Sequence, residues 1–312
     1  MEDIYPEKTW LKYASVEEAG FSSELIEKAH NHFKGINSAA ILVIFNGAVV
    51  AAWGDMTRRF RCHSIRKVFL SALYGVYVRE GKVDLHHTLE KLGIDDDPPL
   101  LESAKQARLI DLLKSMSGVY HPAAFELPKQ QENRPGRGSH SPGEHYWYNN
   151  WDFNVLHTIF EQQTKANFFE DFRTRIAVPL QMEDFRLLDT HLMMERELSV
   201  HPAYRFRMSA RDLARFGLLF LREGRWRGIQ ILPASWITES TATHHEDEML
   251  GYGYCWETFG PKFLSGQLKR MGAYAAFGSG NHFVAVLPAG NMVIVNRTNT
   301  FRNIEGIDGE DF

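Results

Sequence analysis

Residues 60–81, FRCHSIRKVFLSALYGVYVREG, contain the segment that decides both the fold and the chemistry expected of this chain. Ser64 and Lys67 stand three positions apart, so on a helix their side chains lie on one face and within reach of each other. Apolar residues then continue at helical spacing until Glu80-Gly81, which predicts a buried helix that begins at Ser64. Backbone N–H groups at such a helix start can stabilise a developing oxyanion.

The S-x-x-K spacing of Ser64 and Lys67 suits nucleophilic chemistry. A serine hydroxyl becomes a good nucleophile only when a neighbouring base removes its proton. A lysine can do this if burial or a nearby positive charge lowers its pKa, and the aromatic and aliphatic residues after Lys67 can supply the burial. The motif alone has little weight, because serine and lysine are common residues.

A second candidate element is Tyr148 with Asn150, which follow SPGEHYW in a polar loop ahead of a predicted helix. Tyr148 could shuttle a proton and Asn150 could hold the substrate. This role for Tyr148 requires a cationic neighbour such as Lys67 to favour the phenolate and lower the pKa from its usual value of about 10. The alternative is that Tyr148 is one more packed aromatic residue in HYWYNNWDF.

A third candidate element is Gly278-Ser279-Gly280, within AYAAFGSGNHFVAVLP. Glycine allows a substrate to lie close against an edge strand, where a backbone N–H can donate to the carbonyl oxygen of the substrate. The alternative is a bulge or turn without a chemical role.

The remaining patterns predict a mixed α+β fold. Helices are expected within residues 16–34, 108–118, 154–163 and 209–222, and Asn46-Gly47 is typical of a β-hairpin turn. The C-terminal third consists of β-branched and aromatic runs separated by Gly, Pro and Asn. Strands at both ends of the chain predict one antiparallel sheet, flanked by helices, beside a mostly helical lobe.

These patterns also predict the domain organisation. Residues 1–80 and 200–312 are expected to form the lobe that contains the sheet, and residues 81–199 the helical lobe. The active site is expected in the cleft between the two, as a single interlocked catalytic unit. The stretch 128–145, rich in Pro, Gly, Gln, Arg and Ser, is expected to be a loop.

Composition narrows the classes of partner. The formal net charge is -4 and the pI about 6.4, which disfavours capture of nucleic acid or an anionic membrane. The two cysteines, Cys62 and Cys255, lack metal-ligand spacing and are expected to be buried, reduced thiols. We expect no metal and no cofactor. No leader-like or membrane-spanning apolar run occurs, which predicts a cytoplasmic protein, or a periplasmic one if an export signal has been removed.

Taken together and in this order, the three elements resemble the serine β-lactamase and penicillin-binding protein superfamily, whose signatures are S-x-x-K, a Ser or Tyr with Asn, and K-T-G. The resemblance is closest to the class C-like branch, which includes esterases, D-aminopeptidases and aminohexanoate-oligomer hydrolases. Stretches that resemble this branch are RLIDLLKSMSGV, SPGEHYWYNN, IAVPLQMEDF, MSARDLARFGLLFLREGRW and GYGYCW.

This resemblance implies Ser64 as acylated nucleophile, Lys67 as its activating partner and Tyr148 as general base. Asn150 would contact either the substrate or Lys67. The oxyanion hole would consist of the backbone N–H groups of Ser64 and Ser279. The chain lacks K-T-G, and A-F-G-S-G-N stands where the branch often has A-x-G-x-G-G-Q. Without that lysine a substrate carboxylate loses its cation, which disfavours β-lactamase activity.

Three functions therefore remain open for a small ester, amide or lactam ligand. The leading one is an esterase or amidase that forms an acyl-enzyme. The others are a true β-lactamase or D-peptidase, and a homologue that binds its ligand without turnover. Histidines such as His63, His121 and His282 could instead form a Ser-His-Asp system or a metal site, but none has recognised ligand spacing. We expect them at the surface or behind the site, with His121 bordering the cleft. The oligomeric state is left open.

Overall fold

The computed structural model describes residues 3–300. Its helices are α1 Ser23–Gly35, α2 Arg66–Arg79, α3 Leu89–Leu92, α4 Leu109–Leu113, α5 Pro128–Glu132, α6 Asn150–Thr164, α7 Phe168–Phe172, α8 Ala210–Leu221, α9 Ala234–Ser240 and α10 Gln267–Arg270. Its strands are β1 Ser38–Phe45, β2 Ala48–Gly54, β3 Phe60–Arg61, β4 Thr190–Met193, β5 Ala203–Met208, β6 Arg225–Trp226, β7 Ile229–Gln230, β8 His245–Glu246, β9 Leu250–Tyr252, β10 Glu257–Phe259, β11 Tyr274–Gly278, β12 His282–Leu287 and β13 Met292–Thr298.

The main sheet is antiparallel and has the strand order β2-β1-β13-β12-β11-β10-β9-β8. Strand β1 pairs with β2 on one side and with β13 on the other, so the first two strands of the chain lie beside its last strand. An antiparallel sheet built from both ends of the chain, with helices against it, confirms the predicted α+β class.

The hairpin between β1 and β2 turns at Asn46-Gly47, as predicted. Both residues have positive φ, 45° and 82°, which is the backbone that a two-residue type I′ turn requires. A Cβ atom at Gly47 would lie 1.8 Å from the carbonyl oxygen of Ile4, so only glycine fits there. The local sequence therefore specifies this turn.

Helix α8 covers the sheet. The Ser209 hydroxyl caps its start by accepting a hydrogen bond from the Asp212 backbone N–H. At Gly217 the helix approaches β13 so closely that a Cβ atom would lie 2.6 Å from Cγ1 of Val293. The predicted helix over residues 209–222 is confirmed, with its apolar face on the sheet.

Helix α2 is the central buried helix. It begins at Arg66 instead of Ser64, because a 3-10 turn over His63–Ile65 precedes it. The helix is buried along its length through Tyr77 and ends at Arg79, with Glu80 as its C-cap. The prediction of a buried helix is confirmed, and Ser64 lies in the turn that leads into it.

Three further predictions differ from the structure. Helix α4 ends at Leu113 and does not extend to residue 118, because Ser115 adopts a positive φ of 56°. Helix α6 begins at Asn150, four residues before the predicted start, because the Asn149 side chain accepts from the Trp151 backbone N–H and caps it there. The expected loop over 128–145 contains the short helix α5.

A second, three-stranded sheet has the order β3-β5-β4. Its central strand β5 is absent from the sequence-based assignment, because AYRFRM is interrupted by arginines that hide its strand pattern. Strand β4 lies before residue 200 and pairs with β5 beyond it, so backbone hydrogen bonds cross the predicted lobe boundary. The limits of the two lobes stay a prediction.

Candidate active site

The nucleophile candidate Ser64 is held in the 3-10 turn between β3 and α2. The Cys62 backbone N–H donates to the Phe206 carbonyl oxygen at 2.9 Å, which ties this turn to β5. His63, the residue before the serine, has a φ of 48°, an unfavourable value for an L-residue and a feature that concentrates at functional sites. Ser64 itself is partly exposed, whereas Ile65 after it is buried.

The Lys67 amine connects the three residues predicted to form the core of the site. Its Nζ donates to Ser64 Oγ at 3.0 Å, to the Tyr148 hydroxyl at 2.5 Å and to Asn150 Oδ1 at 2.9 Å. The structure thus brings together Ser64, Lys67, Tyr148 and Asn150 from the α2 and α6 regions, which are about eighty residues apart in sequence.

The surroundings of Lys67 disfavour its charged form. The side chain is only 1% exposed, and its Nζ lies 4.2 Å from the ring centroids of both Tyr148 and Phe153. Burial lowers the pKa of Lys67 well below its ordinary value of 10.5, and the positive charge of Arg66 lowers it further. A neutral amine that can take the Ser64 proton is the form this environment favours.

The electrostatics of Tyr148 differ from the expectation. Burial raises the pKa of Tyr148 well above 10, and the negative charge of Glu257 raises it further. The predicted depression by Lys67 is absent, because Lys67 itself is driven toward its neutral form. Tyr148 is therefore a neutral phenol, suited to relay a proton between hydrogen-bond partners.

Asn150 is fixed on both sides of its amide. Its Oδ1 accepts from Lys67, while its Nδ2 donates to the Phe125 carbonyl oxygen at 3.0 Å and to Gln130 Oε1 at 3.2 Å. Of the two roles the sequence left open, contact with the substrate or with Lys67, the geometry supplies the second. The amide orients the lysine toward Ser64.

The structure places the residues of the third predicted element, Gly278 and Ser279, in different surroundings. Gly278 ends β11 against the nucleophile turn, since a Cβ atom there would lie 2.7 Å from the Cys62 carbonyl oxygen and 3.2 Å from His63 Cβ. Ser279 lies one residue further on, exposed in the turn between β11 and β12. The backbone N–H of Phe277, one residue before Gly278, lowers the pKa of the Glu257 carboxyl group and is the better candidate donor to a substrate oxygen.

Glu257 is the residue that sequence reasoning missed. It lies on β10, paired with Tyr252 on one side and Ala275 on the other, and it is partly exposed. Burial raises the pKa of Glu257 to about 8, while Lys67 and the Phe277 N–H partly oppose that increase. Nothing in GYGYCWETF marks this carboxylate, because its position depends on strands that are distant in sequence.

His121 lies elsewhere. Its ring is buried, with Nδ1 2.9 Å from the Pro122 carbonyl oxygen and Nε2 3.2 Å from that of Pro98. Nδ1 also lies 3.5 Å from the Asp96 carboxylate, which binds Trp151 of α6. His121 therefore belongs to the packing behind α6, and we leave it out of the site.

The other two histidines considered, His63 and His282, lie 5.3 Å apart, ring to ring. Burial lowers the pKa of His63 to about 3 and that of His282 to about 2, so both rings are neutral. Within residues 3–300 neither ring hydrogen-bonds Ser64, and the Ser-His-Asp alternative has no geometric support. The thiols of Cys62 and Cys255 are buried and free, as predicted.

The fold and the site together define a class: an α+β protein with a serine, lysine and tyrosine centre at the start of its buried helix. The family model described as Beta-lactamase matches residues 25–309, and the chain belongs to that family. This finding confirms the predicted superfamily and the β-lactamase/transpeptidase-like fold. It is a family that includes serine hydrolases.

Solved structures support the fold. A candidate 6-aminohexanoate-dimer hydrolase from Bacillus anthracis is 20% identical, with a TM-score of 0.66 over 86% of this chain and 75% of its own. A β-lactamase from Mycobacterium bovis is 20% identical, with a TM-score of 0.62, and the match covers 86% of this chain and 90% of that protein. A penicillin-binding protein from Bacillus halodurans is 15% identical, with a TM-score of 0.64, and the match covers 88% of this chain and 95% of that protein. No curated protein sequence matches the chain.

No helix in the part of the chain that the structure describes is both long enough and apolar enough to cross a membrane.

Proposed function

We propose that the protein is a serine hydrolase that forms an acyl-enzyme on Ser64 and hydrolyses a small ester or amide. The observation that carries this proposal is the position of the buried Lys67 amine, within hydrogen-bond distance of both the Ser64 and Tyr148 hydroxyls. A nucleophile, its base and a proton relay are thus in mutual contact.

The proposed reaction has two halves. Ser64 Oγ attacks the substrate carbonyl carbon while its proton passes to the neutral Lys67 amine. The proton then moves through the Tyr148 hydroxyl to the leaving alkoxide or amine, and the acyl group stays on Ser64. In the second half, water attacks the acyl carbon and gives its proton to the same relay. The bond from the acyl carbon to Ser64 Oγ then breaks, the relay returns a proton to Ser64 Oγ, and the acid is released.

The negative charge that develops on the carbonyl oxygen needs donors. The Ser64 backbone N–H lies at the start of the helical segment, and the Phe277 backbone N–H lies just beyond the part of β11 that pairs with β10. We assign these two groups as the oxyanion donors, in place of the pair of Ser64 and Ser279 predicted from the sequence.

Labelling with a fluorophosphonate tests this proposal. Ser64 Oγ should displace fluoride and give a single adduct by intact mass, and Ser64→Ala should give none and fail to hydrolyse 4-nitrophenyl acetate. Ser71→Ala is the matched control, because Ser71 is a buried serine on the same helix. An adduct that persists in Ser64→Ala would contradict the assignment.

A β-lactamase or D-peptidase is the second candidate, favoured by family membership. Strand β11 places Tyr274, Ala275 and Ala276 before the donor Phe277, and none of them carries the cation that a substrate carboxylate needs. Turnover of nitrocefin or of a D-alanyl peptide would support this candidate. Failure of all acylating probes would instead support a homologue that binds without turnover.

A further inference from the structure

The Glu257 carboxylate is an acidic group in a site where the mechanism above gives it no part. The backbone of Glu257 pairs with Ala275 of β11, three residues before the Gly278 that lies against the nucleophile turn. The side chain is partly exposed, whereas Thr258 and Phe259 after it are buried. A carboxylate at this point lies beside the strand that contributes the proposed oxyanion donor.

The Glu257 carboxyl group has no local counter-ion. Within residues 3–300, no lysine, arginine or histidine nitrogen lies within 4.0 Å of this carboxylate. Lys67 influences it from further away, but the Lys67 amine is already bonded to Ser64, Tyr148 and Asn150. Without a counter-ion, burial keeps a proton on this carboxyl group up to a pH of about 8, and a bound ammonium group would stabilise its ionised form.

Aromatic rings stand beside this carboxylate. Glu257 pairs with Tyr252, whose ring centroid is 5.2 Å from that of Tyr146 and 6.1 Å from that of Tyr148. All three tyrosines have raised pKa values and stay neutral phenols near pH 7. Neutral aromatic rings next to a carboxylate attract organic cations, because ring faces carry partial negative charge.

We propose that Glu257 is a specificity residue that binds an ammonium group of the substrate, so that the enzyme selects esters or amides with a positively charged amino group. This inference rests on the proposed hydrolase function of the same site.

The test compares three 4-nitrophenyl esters of equal chain length, with 6-aminohexanoate, heptanoate and heptanedioate as the acyl groups. In the natural chain, kcat/KM should be at least about tenfold higher for the ammonium ester than for the neutral one, and lowest for the carboxylate ester. Tenfold corresponds to about 1.4 kcal/mol. In Glu257→Gln the ammonium-to-neutral ratio should fall to about one, and Glu257→Lys should favour the carboxylate ester.

Glu248→Gln is the matched control. Glu248 is exposed and paired with Lys262, so the substrate preference should be unchanged in this variant. A cooperative thermal transition in each variant establishes that it is folded. A ratio near one in the natural chain, with Ser64-dependent turnover of the neutral ester, overturns the inference and leaves the proposed function intact.

A binding measurement covers the case in which no ester is hydrolysed and the proposed function fails. Hexylammonium chloride should then raise the melting temperature of the natural chain more than hexan-1-ol does, and this difference should vanish in Glu257→Gln. Equal shifts for the two compounds in the natural chain would overturn the ammonium site itself.

Discussion

Lys67 owes its proposed role as a base to its immediate neighbours. Its amine is buried against Tyr148 and Phe153, and Arg66 adds a positive charge one residue away. Arg66 is itself buried, with its guanidinium 4.4 Å from the centroid of the Tyr204 ring. Two adjacent buried cations are unfavourable, and loss of the Lys67 proton relieves that repulsion.

Removal of the Arg66 charge should therefore shift the pH profile of the enzyme. In the proposed mechanism the neutral form of Lys67 is the base, so kcat/KM should rise as pH rises through the lowered pKa of Lys67. In Arg66→Met that pKa should increase, and the acid limb of the profile should move to higher pH. Arg66→Lys keeps the charge and should leave the limb near its original position, as measured with a neutral activated ester.

If the acid limb of the pH profile shifts equally in both Arg66 variants, packing and not charge controls the pKa of Lys67.

Glu257 should make the stability of the fold depend on pH. Its pKa is raised from 4.5 to about 8, so the native state keeps a proton that the unfolded chain loses between these values. Stability therefore falls as pH rises through this window. Glu257→Gln lacks that loss. The melting temperature of this variant minus that of the natural chain should therefore increase from pH 5 to pH 8.5.

Glu248→Gln again provides the comparison, since its exposed carboxylate should give no such trend. A constant difference between Glu257→Gln and the natural chain at all pH values would contradict the raised pKa.

At the scale of elements, strand β11 is positioned by its contact with the turn over His63–Ile65. Gly278 makes that contact possible, because it has no side chain between the strand and the Cys62 carbonyl oxygen. The same contact keeps the Phe277 N–H near Ser64. Alignment of the proposed oxyanion donors thus depends on one glycine at the end of a strand.

Gly278→Ala should separate the two elements. The added methyl group would lie 2.7 Å from the Cys62 oxygen, so the strand or the turn must move. We expect kcat/KM to fall by about tenfold or more, and the free energy of unfolding to fall by roughly 1–3 kcal/mol. Urea denaturation and ester hydrolysis measure the two effects.

Gly136→Ala is the control for this substitution. No atom lies within 4 Å of a Cβ placed at Gly136, and its φ is not positive. Its unfolding free energy should change by less than about 0.5 kcal/mol. Full activity in Gly278→Ala would show that the position of β11 is not critical.

At the scale of the whole molecule, Arg297 joins the main sheet to the three-stranded sheet. It is fully buried on β13, in the middle of the main sheet, and its Nη2 donates to the carbonyl oxygens of Phe60 and Arg61 at 2.9 Å each. These residues form β3, the strand that leads into the nucleophile turn. Arg297 therefore connects the C-terminal strand to the start of the site.

Arg297→Met should leave both carbonyl oxygens of β3 without this donor. Buried acceptors that lose a charged donor destabilise the fold, and we expect a loss of roughly 2 kcal/mol in the free energy of unfolding. Arg225→Met, at an exposed arginine, should change it by less than about 0.5 kcal/mol. Equal urea midpoints for both variants would contradict the role of Arg297.

Much of the fold and part of the site follow from local patterns. The Asn46-Gly47 turn, the cap at Ser209 and the spacing of Ser64 and Lys67 depend on residues within one turn of each other, and all are present in the structure. Tyr148 also meets Lys67, although that contact was expected from the order of the three motifs and not from spacing alone.

Other features need the assembled sheets. Strand β5 has a sequence that does not look like a strand, and it forms because β3 and β4 satisfy its backbone on both sides. Phe277 replaces Ser279 as donor candidate because the hairpin bends away after Gly278. The raised pKa of Tyr148 and the place of Glu257 arise from burial between distant segments. Turns, helix caps and the spacing of side chains along a helix depend on residues that are close in sequence. Desolvation and cross-strand contacts exist only once the chain has packed.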